Sequence, residues 1–154
     1  MGNTSDLIQK LQDLFPGLKG EEGGAMPGLV VPADRLTALM QELKEQRGFN
    51  FLADVTAVDY PEGDKERIEV VYHLMAVPAA TELRVKVSLD RQHPEIASLT
   101  GLWPAAEVQE REVYDLMGVI FTGHPNLQRI LCPDDFSGHP LRKDFQPAAT
   151  EGGQ

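Results

Sequence analysis

The most chemically loaded stretch of this sequence is Glu110-Arg111-Glu112-Val113-Tyr114-Asp115-Leu116-Met117-Gly118, where three carboxylates and one guanidinium crowd six residues. On a helix such a run presents either a charged recognition face for a partner or a solvated face whose pairs contribute little. A second pattern is a repeated tripeptide, Gly123-His124-Pro125 and Gly138-His139-Pro140, with Arg129 after the first and Arg142-Lys143 after the second. Proline holds the preceding histidine extended and glycine allows the turn before it, so each tripeptide reads as a sharp corner. His124, Cys132 and His139, with Asp134 or Asp135, are also metal-ligand types. Their spacing is irregular and each histidine is locked beside a proline, which favours corners over ligands. Asp134 or Asp135 with His139 or His124 is an alternative acid–base pair for a small hydrolase. No Gly-x-Ser-x-Gly elbow supplies it with a nucleophile. Cys132, between Leu131 and Pro133, has an apolar setting that raises a thiol pKa and leaves it inert.

The elements that must position these residues follow from periodicity. Leu7, Leu11, Leu14 and Leu18 recur at helical spacing, with Thr4 or Ser5 as cap and Pro16-Gly17 as stop. The glycines at 20, 23, 24 and 28 read as a flexible connector, because Glu21 and Glu22 would repel a phosphate. Leu29–Val31 is a short strand. Ala33–Arg47 is an amphipathic helix with Leu36, Leu39, Met40 and Leu43 inward and Gly48 as its stop. Three strand-like runs follow: 49–60, a turn at 61–64, then 68–77, then 83–89. The second is nearly continuous in apolar residues, so it is covered on both faces or covered on one by a partner. The third alternates Leu83, Val85, Val87 and Leu89 with Glu82, Arg84, Lys86 and Ser88, giving one wet face. Short connections make the three an antiparallel meander. His73 is a core or interface residue and Trp103 a packing anchor. A short helix is expected at 95–99, and a longer one opens at Pro104 and closes at Gly118. On its wheel Ala106, Val113, Leu116 and Met117 point one way, and Val108, Arg111, Glu112 and Asp115 the other.

These elements predict an α+β fold: a two-layer domain whose mainly antiparallel sheet packs against helices. The body spans 1–120. Residues 121–154 form an extended arm, too apolar to be a free tail and too irregular to build its own core. From about Pro147 it frays. The net charge of −10 argues against nucleic acid and against an anionic membrane surface. One cysteine excludes a disulfide within the chain, a four-thiolate cluster and a multi-cysteine zinc site. No Gly-x-Gly-x-x-Gly marks a dinucleotide site, no apolar run spans a bilayer, and Met1 to Asp6 lack a leader layout. A cytoplasmic protein is expected.

The motifs together resemble one family. Glu110 to Gly118, then Gly123-His124-Pro125 and Arg129-Ile130-Leu131, then Pro133-Asp134-Asp135-Phe136 and Gly138 to Phe145 are similar to the signature and C-terminal pattern of the thirty-kilodalton subunit of respiratory complex I. Leu52 to Tyr60, Glu69 to Leu74 and Leu102 to Ala106 match it too, so the likeness covers about residues 29 to 147. Met117 stands where the family often has Phe, and Cys132 where an aliphatic residue is usual. The resemblance implies a non-catalytic subunit that binds no cofactor and sits in the hydrophilic arm of an NADH–quinone oxidoreductase. Its implied partners are the forty-nine-kilodalton-type subunit and neighbouring iron–sulfur subunits on the cytoplasmic side of the cell membrane. An equivalent subunit of a [NiFe]-hydrogenase-like or other energy-converting complex is the alternative. The expected partner-binding residues are Glu110, Arg111, Glu112, Asp115, His124, Arg129, Asp134, His139, Arg142 and Lys143. The helix at 104–117 would present its charges to a neighbour or lock the arm to the body.

Overall fold

The computed structural model describes residues 4–21, 26–61, 66–78 and 80–146. The side chains of Thr4 and Ser5, most of the turn at 61–64, Gly23, Gly24 and the tail from 147 lie outside the described residues. Helix α1, Thr4–Leu14, ends before Pro16 and buries Leu11. Two short strands follow, β1 (Lys19–Glu21) and β2 (Gly28–Val30), paired antiparallel. The expected connector is therefore partly strand: the hairpin gives the backbone of Gly20 and Gly28 hydrogen-bond partners that a free linker lacks.

A 3₁₀ turn at Ala33–Arg35 leads into α2 (Leu36–Arg47), which buries the four predicted leucine and methionine positions. Gly48 closes α2 at φ 78°, a left-handed conformation. Strands β3 (Phe51–Tyr60), β4 (Arg67–Ala76) and β5 (Thr81–Asp90) form the predicted meander. β2 then adds parallel to β5, so the five-stranded sheet is mixed, in the order β1-β2-β5-β4-β3. One face is dry. Ile68, Val70, Tyr72 and Leu74 of β4, with Leu83, Val85 and Val87 of β5, share a core with Leu36, Leu39 and Leu43 of α2. The other face of β4 (Glu69, Val71, His73, Met75) is half-buried, so within the chain this strand is covered on one face only. His73 there bonds Glu82 at 2.9 Å.

Residues 95–97 correct a second expectation. They form strand β6 (Glu95–Ala97), not a helical turn, and pair in parallel with β7 (Ile120–Thr122). Five residues supply too few hydrogen bonds to offset helix nucleation, whereas a partner strand pairs each of these three at once. β7 runs across the expected division at 120, and its Phe121 is only 1% exposed. Between β6 and β7 stands α3 (Ala106–Met117), closed by Gly118 at φ 80°. It packs against β3, the last strand of the sheet. Trp103 anchors its entry, donating its ring N–H to the Phe49 carbonyl at 3.2 Å.

Candidate functional site

α3 puts three carboxylates on three different errands. Glu110 turns inward, accepting the Ser98 hydroxyl at 2.6 Å and the Leu99 N–H at 2.8 Å. Burial pushes its carboxyl pKa up, against the pull of those two donors. Glu112 is half-buried and makes no hydrogen bond or ion pair among the described residues. Asp115 is fully buried, which corrects the wheel that turned it toward solvent. Residues 129–141 cover that side of the helix, and a wheel drawn for α3 alone contains no information about them.

Asp115 organises that covering segment. Its Oδ2 accepts the N–H groups of Ile130, Leu131 and Cys132 at 3.1, 2.6 and 2.9 Å. Its Oδ1 takes Arg129 Nη1 at 2.8 Å. Burial alone would raise this carboxyl, but the three N–H groups and Arg129 overcome it and hold the pKa at about 2. Arg129 also donates to the Gly138 carbonyl at 2.8 Å, closing the loop on itself. Arg111 donates to the carbonyls of Gln128 and Arg129 at 3.1 and 3.3 Å. His124 accepts the Asn126 N–H at Nδ1, so its Nε2 carries the proton and donates to the Glu107 carbonyl at 2.9 Å.

The same segment then caps α3. A helix C-terminus leaves its last carbonyls without intrahelical donors. Here His139 Nδ1 reaches the Asp115 carbonyl at 3.0 Å, and the Leu141 N–H reaches Leu116 at 2.9 Å. Arg142 Nε reaches Met117 at 2.8 Å. The close seat of His139 requires glycine at 118: an added Cβ would lie 2.7 Å from the imidazole, at a φ that disfavours any side chain. Gly118→Ala is expected to lower stability by about 1–2 kcal/mol from the backbone alone. The accompanying displacement of His139 would show as a shifted imidazole resonance in NMR.

A second buried carboxylate, which the sequence reading did not single out, holds the end of the segment. Asp59 on β3 is 2% exposed and takes a two-pronged contact from Arg91, at 2.5 and 2.8 Å. It also accepts the Lys143 N–H at 2.8 Å. Arg91 extends to Asp144 at 2.8 Å. The Arg91 contact holds the Asp59 carboxyl below its ordinary value, against burial. The signal was present in the sequence: Val55, Ala57 and Asp59 share one phase of the strand alternation, so a carboxylate falls on the dry face.

Seven of the ten expected site residues thus converge on one seam: Arg111, Asp115, His124, Arg129, His139, Arg142 and Lys143. Glu110 faces the other side of α3, Glu112 has no partner among the described residues, and Asp134 is exposed. Gly123 and Gly138 turn at φ 82° and 91°, as the corner reading requires. Among the described residues no three His, Cys, Asp or Glu side chains gather as metal ligands. His139 is bonded to a backbone carbonyl of α3 and to neither Asp134 nor Asp135 among those residues. Burial raises the Cys132 thiol pKa, and the neighbouring Asp115 carboxylate adds to it.

Residues 29–151, which hold both carboxylate anchors and the seam, match the family described as the respiratory-chain NADH dehydrogenase, 30 Kd subunit. The chain belongs to that family. An NADH-quinone oxidoreductase subunit of Moorella thermoacetica is 70% identical over 149 residues, covering 97% of this chain and 99% of that one. Among solved structures, the trypsin-resistant fragment (1-134) of Nqo5 superposes with a TM-score of 0.71 at 34% identity, covering 80% of this chain and 98% of the fragment. A chain of the membrane-bound sulfane sulfur reductase, an archaeal respiratory membrane complex, superposes with a TM-score of 0.79 at 30% identity, covering 93% and 85%. The resemblance read from the sequence is borne out, as is the α+β layered fold. In this member of the family, the signature Glu110 to Gly118 is the helix that carries the seam.

Proposed function

We propose that this chain is a structural subunit in the hydrophilic arm of a complex I-type NADH–quinone oxidoreductase. It binds no cofactor itself and docks on the forty-nine-kilodalton-type subunit beside the iron–sulfur subunits, on the cytoplasmic side of the membrane. The observation that carries this reading is the strapped segment after β7. The body bonds the N–H groups of Ile130, Leu131, Cys132, Leu141 and Lys143 and the carbonyls of Gln128 and Arg129, while Leu131 and Leu141 stand 61% and 59% exposed, with Asp134, Asp135 and Lys143 also outward. Apolar anchors inside a polar rim are the anatomy of a protein interface. Holding them in place beforehand removes part of the ordering cost of association. No helix among the described residues is long and apolar enough to cross a membrane, so attachment runs through other subunits. The trypsin resistance stated for the Nqo5 fragment fits a rigid body of this kind.

A second reading keeps the scaffold and changes the electron partner. The sulfane sulfur reductase chain superposes with a TM-score of 0.79, so the same fold serves a respiratory membrane complex with a different named activity. An equivalent subunit in a related energy-converting complex accounts for that equally well. Complementation separates the two. Membranes depleted of this chain should lose NADH-to-quinone activity and regain it on re-addition, while the purified chain turns over nothing. Unchanged NADH oxidation with a lost alternative reductase activity would select the second reading. Turnover of an ester or amide by the chain alone, abolished in His139→Ala, would replace both.

Reversal of Arg111 distinguishes the strap from an ordinary surface charge. Arg111→Glu places a carboxylate against the Gln128 and Arg129 carbonyls. It is expected to lower the chain's recovery in the complex severalfold. Arg84→Glu, on the half-buried face of β5, should lower it less. Equal recovery of the two would remove the special role of α3.

A further inference from the structure

We infer that the free edge of β3 is a second docking site, which takes an extended basic segment of a neighbouring subunit and seats one Arg or Lys side chain between Asp54 and Glu112. The inference rests on the subunit reading above. β3 ends the five-stranded sheet, so one row of its backbone N–H and C=O groups has no strand beside it. Both ends of β3 are tied to the rest of the body, through a backbone carbonyl at one end and a side-chain carboxylate at the other. Gln109 of α3 reaches the Leu52 carbonyl at 3.4 Å, and the Lys143 backbone bonds the Asp59 carboxylate at 2.8 Å. Between them, among the described residues, no loop or side chain bonds the free backbone edge of Asp54 to Ala57.

A groove of about 160 Å³ runs along that gap, between β3 and the last turns of α3. Its floor is apolar, from Val55, Val113 and Met117, and Leu141 of the strap forms one rim. The walls carry Asp54 and Glu112, neither of which has a hydrogen bond or ion pair among the described residues. Exposed edges are normally blunted by lysine, proline or a covering element, because they template strand pairing. Here the edge carries no lysine or proline, and its charged groups are acidic.

Size, charge and backbone select the occupant. Small-molecule sites occupy about 300–1,000 Å³, so this groove is too small for a cofactor and suits a single long side chain on a bound strand. An added strand satisfies the backbone row while alternate side chains fill the groove. Two unpaired carboxylates call for a cation. The chain's own tail, Pro147-Ala148-Ala149-Thr150-Glu151-Gly152-Gly153-Gln154, has none. A second copy, with a net charge of −10, is repelled. Nucleic acid is repelled for the same reason.

The test uses the full chain in its native membranes. A benzophenone photo-crosslinker replaces Thr56 at the groove, or Thr37 on the exposed side of α2 as control. The expected result is a cross-link from position 56, and none from position 37, to a Lys- or Arg-containing segment of another subunit, identified by peptide mass. In parallel, Asp54→Lys with Glu112→Lys should reduce the share of chain recovered in the complex about tenfold and leave its melting temperature unchanged. Asp13→Lys with Glu45→Lys makes the same charge change elsewhere and should leave both recovery and melting temperature unchanged. A chain that co-purifies with the complex but cross-links from position 56 to nothing, to lipid or to its own copy overturns the groove and leaves the subunit reading intact. Full recovery of the groove variant does the same. A chain that co-purifies with no other subunit overturns both.

Discussion

Asp115→Ala is expected to destabilise the protein by about 3–5 kcal/mol, the cost of removing one member of a buried charge pair. For a chain of this size that is a fall of roughly 10 °C in melting temperature. Three neighbouring N–H groups and Arg129 would lose the one carboxylate they share. Residues 128–146 should then become accessible to trypsin at Arg129, Arg142 and Lys143. Asp115→Asn tests the charge separately, since its amide oxygen can accept while its –NH₂ opposes the converging donors. Both variants are read by thermal denaturation and by limited proteolysis followed by mass analysis. An intact strap in Asp115→Ala would show that the segment is held by its apolar contacts alone.

Acid should imitate that substitution. The Asp115 carboxyl lies at about 2 in the folded protein against an ordinary 3.8. A depressed folded value means that the unfolded chain takes up the proton first as pH falls. The stabilisation is therefore complete above about pH 4 and is lost progressively as pH drops through 2. Asp59 is shifted in the same direction by Arg91, so its stabilisation is likewise lost on acidification. Hydrogen exchange at Ile130 to Cys132 should accelerate there relative to the sheet.

Arg91→Leu carries the second large effect. It leaves the Asp59 carboxylate, whose side chain is 1% exposed, without its cation. The expected loss is again about 3–5 kcal/mol. Replacing both partners, Arg91→Leu with Asp59→Leu, should recover most of it, because an apolar pair of similar volume is often neutral. About 1 kcal/mol should remain lost, from the orphaned Lys143 N–H. A chemical-denaturation cycle over the four proteins measures the coupling directly. A double variant no better than the worse single one would mean that the pair fixes the strap's geometry as well as its charge balance.

The two anchors explain what was legible in the sequence. Periodicity located α2, α3 and the meander because Leu36 to Leu43 and Leu83 to Leu89 each bury one face against one core. Local pattern sufficed there. It failed at 95–97, where the pairing partner β7 lies more than twenty residues away. It failed at Gly20 and Gly28 for a related reason, since a three-residue strand carries no period of its own. For the candidate site, the residue types were readable and their orientation was not. Asp115 looks solvated on a lone wheel and is buried by a segment that returns from 14 residues and more downstream. Asp59 was the more legible of the two, since a carboxylate on the dry phase of a strand demands a cation. Arg91 itself sits just past β5, outside any periodic pattern. The strap has no regular structure to predict, and its conformation is dictated by the acceptors that the body presents.

Whether this chain scaffolds a larger oxidoreductase is decided by purifying the tagged chain from its own membranes in mild detergent, with the intact complex shown to survive. Partners are identified by mass, and NADH-to-quinone turnover is measured in the eluate. The expected result is recovery of a forty-nine-kilodalton-type subunit together with iron–sulfur subunits and that activity. The chain recovered alone under those conditions would contradict it.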